Sequence, residues 1–239
     1  MRINGVVYTR ESLAALIDQT ILVADATQDQ VIAVCRKSVA YGFKSVCTNL
    51  FWTTLVAGEL RDSKVDVCYT VGFPLGAIPT SCKVFEAMEG IRVLSGKTAA
   101  IDMVANIGLL KSGEYKAYTD DIRQVVKAGH DSGLEVKAIL ETGLLTEAEI
   151  KEACICAVEA GVDFVKTGTG KGGTPQVSDV MIMRKTVPAN VGVKFSGFGT
   201  CSPTQLTIMG IKAGANRLGS PVGAQIIEEA DQFYKDISI

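Results

Sequence analysis

Eight short apolar runs, alternating with helical stretches, are what most limits how this chain can fold. The clearest are FKSVCTN (43–49), VDVCYTV (65–71), AAIDMVA (99–105), LEVKAIL (134–140), VDFVKT (162–167), VGVKF (191–195) and NRLG (216–219); LIDQTIL (16–22) supplies a less regular eighth. Each is rich in β-branched or apolar residues and too short for a helix, so each reads as a strand. Their starts recur roughly every 20 to 35 residues, which leaves room for a crossover helix between parallel strands. Eight such units in 239 residues predict an α/β chain folded as a single-domain (β/α)8 TIM barrel over residues 1–239. An open doubly wound sheet is the competing arrangement, but no G-x-G-x-x-G follows an early strand, and no linker or low-complexity stretch divides the chain.

The intervening helices carry readable ends. Thr27 with Gln30, and Thr146 with Glu149, fit the capping box, in which a hydroxyl and the side chain three residues on satisfy orphaned N–H groups. Ser202-Pro203 fits a cap followed by a proline at the first helical position. Gly42, Gly133, Gly161 and Gly214 stand where a left-handed residue closes a helix. In KVFEAMEGIRVL (83–94), Val84, Ala87, Met88, Ile91 and Leu94 fall on one apolar stripe at helical spacing.

Composition narrows the function. Lys and Arg number 24 against 26 Asp and Glu, a formal net charge of −2, and no basic stretch stands out. Neither nucleic acid nor an anionic membrane is expected as a partner. Hydrophobic residues make up 47% and charged ones 21%, enough for a large core and for an interface beyond it, so an oligomer is expected. The N-terminal MRINGVVYTRES lacks an apolar signal segment, and no apolar run reaches the roughly 18 residues needed to span a bilayer. The seven cysteines (Cys35, Cys47, Cys68, Cys82, Cys154, Cys156, Cys201) are odd in number and form no C-x-x-C. They read as small buried hydrophobes in a reducing cytoplasm rather than as a disulfide or zinc framework. The single histidine, His130, argues against zinc hydrolases and other chemistry built on two or three imidazoles. It sits where a helix ends, a place that favours a cation. No metal or cofactor is expected, and the chemistry falls to Lys, Asp, Glu, Ser, Thr or backbone groups.

In a barrel the active site lies where strands end and the following loops begin. Those ends hold Asp18, Asn49, Gly72-Phe73-Pro74, Asp102 with Asn106, Glu141-Thr142, Lys166-Thr167, Lys194 with Ser196, and Gly219-Ser220. Strand alternation puts Asp102 on one face with Ala100 and Val104, Lys166 with Val162 and Phe164, and Lys194 with Gly192 and Ser196. A lone lysine at a barrel mouth usually reaches solvent along its stem. Two lysines and an aspartate converging on adjoining strand ends describe something else. A lysine amine is a poor nucleophile at its free pKa of about 10.4, but a second ammonium and desolvation depress that value. The neutral amine then forms a Schiff base with a carbonyl, and the iminium is an electron sink for making or breaking the neighbouring carbon–carbon bond. A carboxylate such as Asp102 can relay the protons.

The stretches SVCTNLFW around Cys47, VGFPLGA (71–77), AAIDMVANIGLLKSG (99–113), VKAILETGLLT (136–146), DFVKTGTG (163–170), VGVKFSG (191–197) and AGANRLG (213–219) resemble, in order and spacing, the deoxyribose-phosphate aldolase family of class I, metal-independent aldolases. The resemblance implies that Lys166 forms the Schiff base, that Lys194 tunes it, and that Asp102 is the proton relay. It implies reversible cleavage of 2-deoxy-D-ribose 5-phosphate to acetaldehyde and glyceraldehyde 3-phosphate. With the strand ends, it gives a candidate substrate-binding set of Asp18, Cys47, Thr142, Thr167, Gly170, Lys171, Ser196, Gly197, Gly199, Gly219 and Ser220. Of these, Gly170, Lys171, Gly197, Gly199, Gly219 and Ser220 are placed to cradle a phosphate. Lys137 reads as a supporting ion pair within the barrel.

The distal end departs from the family pattern. Gly168 replaces the serine of K-T-S-T-G, and the loop KGGTPQVSD is about two residues short. After Lys194 the family's A-S-G-G-I-R-T becomes FSGFGTCSP, with Phe195, Phe198 and no arginine. Pro221 and Val222 remove an N–H and a hydroxyl from the last strand end, and Gln19 replaces a histidine. Three readings follow: the family reaction, the same chemistry on an unphosphorylated or bulkier substrate with Phe195 and Phe198 as an apolar wall, and a non-catalytic barrel that binds sugar phosphates.

Overall fold

A computed structural model describes residues 2–197 and 203–235. A short antiparallel hairpin, β1 (Arg2–Ile3) and β2 (Val6–Val7), precedes β3 (Ile17–Ile21), β4 (Ser45–Thr48), β5 (Asp66–Val71), β6 (Ala99–Val104), β7 (Glu135–Ile139), β8 (Phe164–Lys166), β9 (Gly192–Ser196) and β10 (Arg217–Ser220). The last eight strands are parallel and close into a barrel in chain order, β10 pairing with β3 through Leu218 and Ile17. The helices are α1 (Arg10–Ala14), α2 (Gln28–Tyr41), α3 (Thr53–Glu59), α4 (Thr80–Val93), α5 (Ile107–Lys111), α6 (Tyr115–His130), α7 (Glu147–Ala160), α8 (Val177–Thr186), α9 (Pro203–Ala213) and α10 (Gly223–Lys235). All eight runs read as strands are barrel strands, LIDQTIL (16–22) included.

Pleating sorts the side chains into two regions. Val46, Val67, Tyr69, Ile101, Met103, Val136, Val165, Val193 and Leu218 belong to the apolar core between barrel and helices. The alternate positions carry Asp18, Asp102, Lys137, Lys166 and Lys194, each buried. The barrel interior is therefore charged, and the hydrophobic driving force resides in the layer outside it. Two glycines let rings into close quarters. A Cβ on Gly90 would lie 2.2 Å from the Tyr69 ring, and one on Gly192 would lie 2.1 Å from the Phe164 ring.

The helix ends follow the local signals. Thr27 and Gln30 exchange both capping-box bonds, as do Thr146 and Glu149. Gly42 and Gly161 are left-handed C-caps, and Gly133 and Gly214 also have positive φ. His130 ends α6, with Nε2 2.9 Å from Asp163 Oδ2. Ser202 lies outside the described residues.

Two expectations are corrected. The buried stripe of α4 is Lys83, Ala87 and Gly90, continued by Leu94, while Met88 is 49% exposed. The stripe is rotated because Lys83 is drawn inward by Asp121 Oδ2 at 2.6 Å and the Val104 carbonyl at 2.9 Å, and because Tyr69 needs Gly90 beneath its ring. Cys35, Cys47, Cys68, Cys154 and Cys156 are buried, but Cys82 on α4 is exposed; Cys201 lies outside the described residues. No helix among the described residues is long and apolar enough to cross a membrane.

Candidate active site

The barrel interior holds one continuous charge cluster centred on Asp102 of β6. Parallel pairing sets Asp102 beside Lys137 and Lys166 beside Lys194. Asp102 Oδ2 accepts from Lys166 Nζ at 2.8 Å and from Lys194 Nζ at 2.7 Å, and its Oδ1 lies 3.5 Å from Lys137 Nζ. Lys194 Nζ also lies 2.6 Å from Asp18 Oδ2. Asp18 Oδ1 accepts from Ser45 Oγ at 2.7 Å and from Arg217 Nη1 at 3.4 Å. Glu135 completes the cluster, 3.0 Å from Lys137 and 3.7 Å from Arg217. The Phe164 ring lies under both cations, 5.9 Å from Lys137 and 5.0 Å from Arg217.

For Asp102, Asp18, Lys194 and Lys137, burial disfavours the charged form and the partners reverse it. Burial alone would raise the pKa of Asp102, but Lys166, Lys194 and Lys137 hold it well below the usual carboxylate range. Asp18 is likewise depressed against its burial, by Lys194, Lys137 and Arg217. Burial would lower Lys194; Asp102 and Asp18 push it well above the ordinary lysine value. Lys137 is raised in the same way, burial again being outweighed by the surrounding negative groups, Asp102 and Asp18 among them.

A cavity of about 380 Å³ opens at the C-terminal mouth of the barrel, a size suited to a small ligand. Lys166 lines it, whereas Lys137 and Lys194 do not. An amine that faces a cavity, with a carboxylate behind it able to take and return protons, is equipped to form an imine with a carbonyl compound.

Of the expected substrate-binding residues, Gly170, Lys171, Ser196, Gly197 and Gly219 line this cavity with Lys166. The others do not. Asp18 lies beneath Lys194. Cys47 sits beside Asp102, its Sγ 3.9 Å from Oδ2. Thr142 turns its hydroxyl to Asp179 at 2.8 Å, and the Thr167 hydroxyl is engaged with the Ser196 backbone. Ser220 is fully buried, and its Oγ accepts from the Val222 N–H at 3.1 Å. Gly199 and Phe198 lie outside the described residues. Phe195 forms no wall of the cavity. It alternates with Lys194 and Ser196 and therefore faces the helices, where a Cβ on Gly210 of α9 would lie 2.5 Å from its ring. Pro221 and Val222 do line the cavity. Gln19 holds the loop that bears them, donating to the Pro221 carbonyl at 2.7 Å and accepting from the Gly223 N–H at 3.0 Å.

Sequence reasoning missed Arg217, Thr169 and the cavity-lining Thr20, Leu22 and Val23. Arg217 precedes the glycine at the last strand end, and its parity with Gly219 was the available signal. Thr169 carries no local signal of its contact with Glu141 Oε2 at 2.5 Å.

Cys47, Cys68 and Asp102 place a sulfur, a sulfur and an oxygen within 4.8 Å of one another. The set is poorly suited to a metal, because three lysine nitrogens surround the same carboxylate and would repel a cation. Burial also raises the Cys68 thiol well above its ordinary pKa, away from the thiolate a metal requires.

Residues 12–206 match the pattern of the DeoC/LacD family aldolases. The chain is 45% identical over 224 residues to a deoxyribose-phosphate aldolase of Thermococcus kodakarensis, covering 92% of this chain and 98% of that protein. It is 47% identical over 220 residues to a deoxyribose-phosphate aldolase of Caldanaerobacter subterraneus subsp. tengcongensis, covering 91% and 93%. Among solved structures, a tetrameric deoxyribose phosphate aldolase from Aeropyrum pernix superposes with a TM-score of 0.86 at 27% identity, covering 94% of this chain and 93% of that one. With the cavity-facing lysine and its shared aspartate in place, these similarities make the chain a member of the DeoC/LacD family of aldolases.

Proposed function

We propose that residues 1–239 act as one class I aldolase domain that reversibly cleaves 2-deoxy-D-ribose 5-phosphate to acetaldehyde and glyceraldehyde 3-phosphate. The observation that carries this reading is that Lys166, alone of the three barrel lysines, lines the cavity while sharing Asp102 with Lys194. Lys194 and Lys137 are raised in pKa and fully enclosed, so neither offers an accessible neutral amine.

The Lys166 amine adds to the C1 aldehyde, giving a carbinolamine that loses water to form an iminium. Loss of the C3 hydroxyl proton breaks the C2–C3 bond; its electron pair flows into the iminium, releasing glyceraldehyde 3-phosphate and leaving an enamine. Protonation at C2 regenerates an iminium, which water hydrolyses to acetaldehyde and the free lysine. Asp102 is the group that accepts and returns these protons. Lys194, held as an ammonium by two carboxylates, keeps Asp102 ionised and its field positive. Gly170, Lys171, Ser196, Gly197 and Gly219 take the far end of the substrate. No cofactor enters this scheme. A homodimer or higher homo-oligomer in the cytoplasm is the setting we propose.

One feature favours a second reading, the same chemistry on an unphosphorylated substrate. Pro221 and Val222 line the cavity and offer no side-chain donor, and Pro221 no N–H, to a phosphate.

The test is borohydride trapping. The protein is mixed with acetaldehyde and reduced, and the intact mass and modified peptide are read, with Lys166→Ala as control. A gain confined to the Lys166 peptide is expected. Unmodified protein, or label on another lysine, would overturn the Schiff-base assignment in favour of a sugar-phosphate-binding barrel. Cleavage of deoxyribose 5-phosphate and of 2-deoxyribose then decides between the two substrates.

A further inference from the structure

Glu141 has an odd situation for a carboxylate. It is 2% exposed and sits in the left-handed region at φ 56°, a conformation that a non-glycine residue adopts only where the surroundings hold it. No ion pair reaches it among the described residues. Instead its oxygens accept from the Thr169 backbone N–H at 3.2 and 3.3 Å and from the Thr169 hydroxyl at 2.5 Å. That hydroxyl in turn accepts from the Lys171 N–H at 2.9 Å.

The loop after β8 is moulded around this carboxylate. A Cβ on Gly168 would lie 2.8 Å from Glu141 Oε1, and one on Gly172 would lie 2.8 Å from Glu141 Cδ. Beyond them the Gly143 and Gly173 backbones touch, so that a Cβ on either would sit within 2.3 Å of the other's backbone. On its opposite side the loop is pinned to β9, where Ser196 Oγ donates to the Gly168 carbonyl at 2.7 Å. Between these two anchors lie Gly170 and Lys171, which line the same cavity as Lys166.

We propose that Glu141 is a positioning residue for substrate binding: through Thr169 it sets the 168–173 loop so that Gly170 and Lys171 wall the cavity at the end away from the reacting carbonyl. The proposal rests on the aldolase reading for its substrate, but not for its geometry. It also gives Gly168 a role, since a side chain there would displace the carboxylate that orders the loop.

The experiment compares Glu141→Ala, Glu141→Gln and Thr169→Val with the parent protein by three readouts. Glu141→Ala is expected to raise KM for deoxyribose 5-phosphate about tenfold, as for loss of a charge-assisted hydrogen bond, with kcat changed by less than about threefold. Glu141→Gln should recover most of the loss, because its amide oxygen still accepts from Thr169; Thr169→Val should reproduce part of it and serves if Glu141→Ala fails to fold. Amide hydrogen exchange should quicken in the 168–173 peptide of Glu141→Ala while the barrel strands keep their protection. Borohydride trapping of acetaldehyde on Lys166 should match the parent, since that small aldehyde does not reach the loop. Unchanged exchange in the loop would overturn the proposal whatever the substrate is. So would a fall in kcat at constant KM, or a Gln variant no better than Ala. Failed trapping in the parent would instead remove the aldolase reading and leave the exchange result to decide the role of Glu141.

Discussion

Lys166 and Lys194 donate to the same oxygen, Asp102 Oδ2, at 2.8 and 2.7 Å. Their support is unequal. Lys194 has a second carboxylate, Asp18, at 2.6 Å, and Lys137 has Glu135 at 3.0 Å besides Asp102. Lys166 has only its share of Asp102 among the described residues, and it alone of the three opens on the cavity. The neighbouring strands β8 and β9 bring the two amines to one register position, so the asymmetry between them is built by Asp18 on β3, which backs Lys194.

Asp102→Asn tests how far the cluster hangs on that one carboxylate. The amide is nearly isosteric but leaves Lys137, Lys166 and Lys194 facing one another without their common anion. Breaking a buried pair on one side costs about 3–5 kcal/mol, and loss of the proton relay should slow cleavage by about 100-fold or more. Urea unfolding and steady-state kinetics read the two effects separately. A stability loss under about 1 kcal/mol would show that other groups hold the lysines.

The same shifts set the pH dependence of stability. Asp102 and Asp18 have folded pKa values below their unfolded ones. Their contribution is fully present above about pH 4–5 and is lost as the pH falls through the folded values. Lys194 has a folded pKa above its unfolded one, so its contribution is fully present below about pH 10 and is lost as the pH rises through the folded value. Urea midpoints measured across the pH range should therefore form a plateau that falls at both ends. Lys194→Met should lower the plateau and remove this lysine's share of the alkaline fall. An alkaline limb identical to that of the parent would contradict the assignment.

Outside the barrel, Lys83 and Asp121 form a second buried pair at 2.6 Å, with Thr80 donating to the other Asp121 oxygen at 2.8 Å. Either single change, Lys83→Met or Asp121→Leu, strands a buried polar partner and is expected to cost about 3–5 kcal/mol. The double variant should cost much less than the sum of the singles, a coupling that a double-mutant cycle measures. Additive losses would mean that the two side chains act independently.

These residues also mark where sequence reading works and where it stops. The barrel was legible because strand and helix periods are local, and Lys166, Lys194 and Asp102 were legible because alternation along a strand fixes which side faces inward. The capping boxes of Thr27 and Thr146 lie within four residues. Lys83 was not legible: its partner Asp121 lies 38 positions away, and a lysine on a helix stripe looks solvated until that partner is known. Thr142, Thr167 and Ser220 stand at strand ends as expected, yet their hydroxyls are already engaged, by Asp179 of α8, by the Ser196 backbone and by the Val222 N–H respectively. Position along a strand says which face a side chain takes, not whether a neighbouring group has already claimed it. Phe195 fell to the opposite error, since its alternation with Lys194 already placed it on the helix side.

That placement separates two substitutions that look alike in the sequence. Phe195 is buried against Gly210 of α9, so Phe195→Leu should lower stability by about 1–2 kcal/mol through lost packing. It should leave kcat/KM within about twofold for both deoxyribose 5-phosphate and 2-deoxyribose, because no cavity atom changes. Val222 lines the cavity, and Val222→Ser replaces its two methyl groups with a single, smaller hydroxyl donor. If the far end of the cavity receives a phosphate, that donor should raise kcat/KM for the phosphorylated sugar by about five- to tenfold over the unphosphorylated one. Measuring both sugars with both variants locates the specificity: a shift with Phe195→Leu would place a contact through β9 into the cavity, and no shift with Val222→Ser would remove the β10 end from substrate recognition.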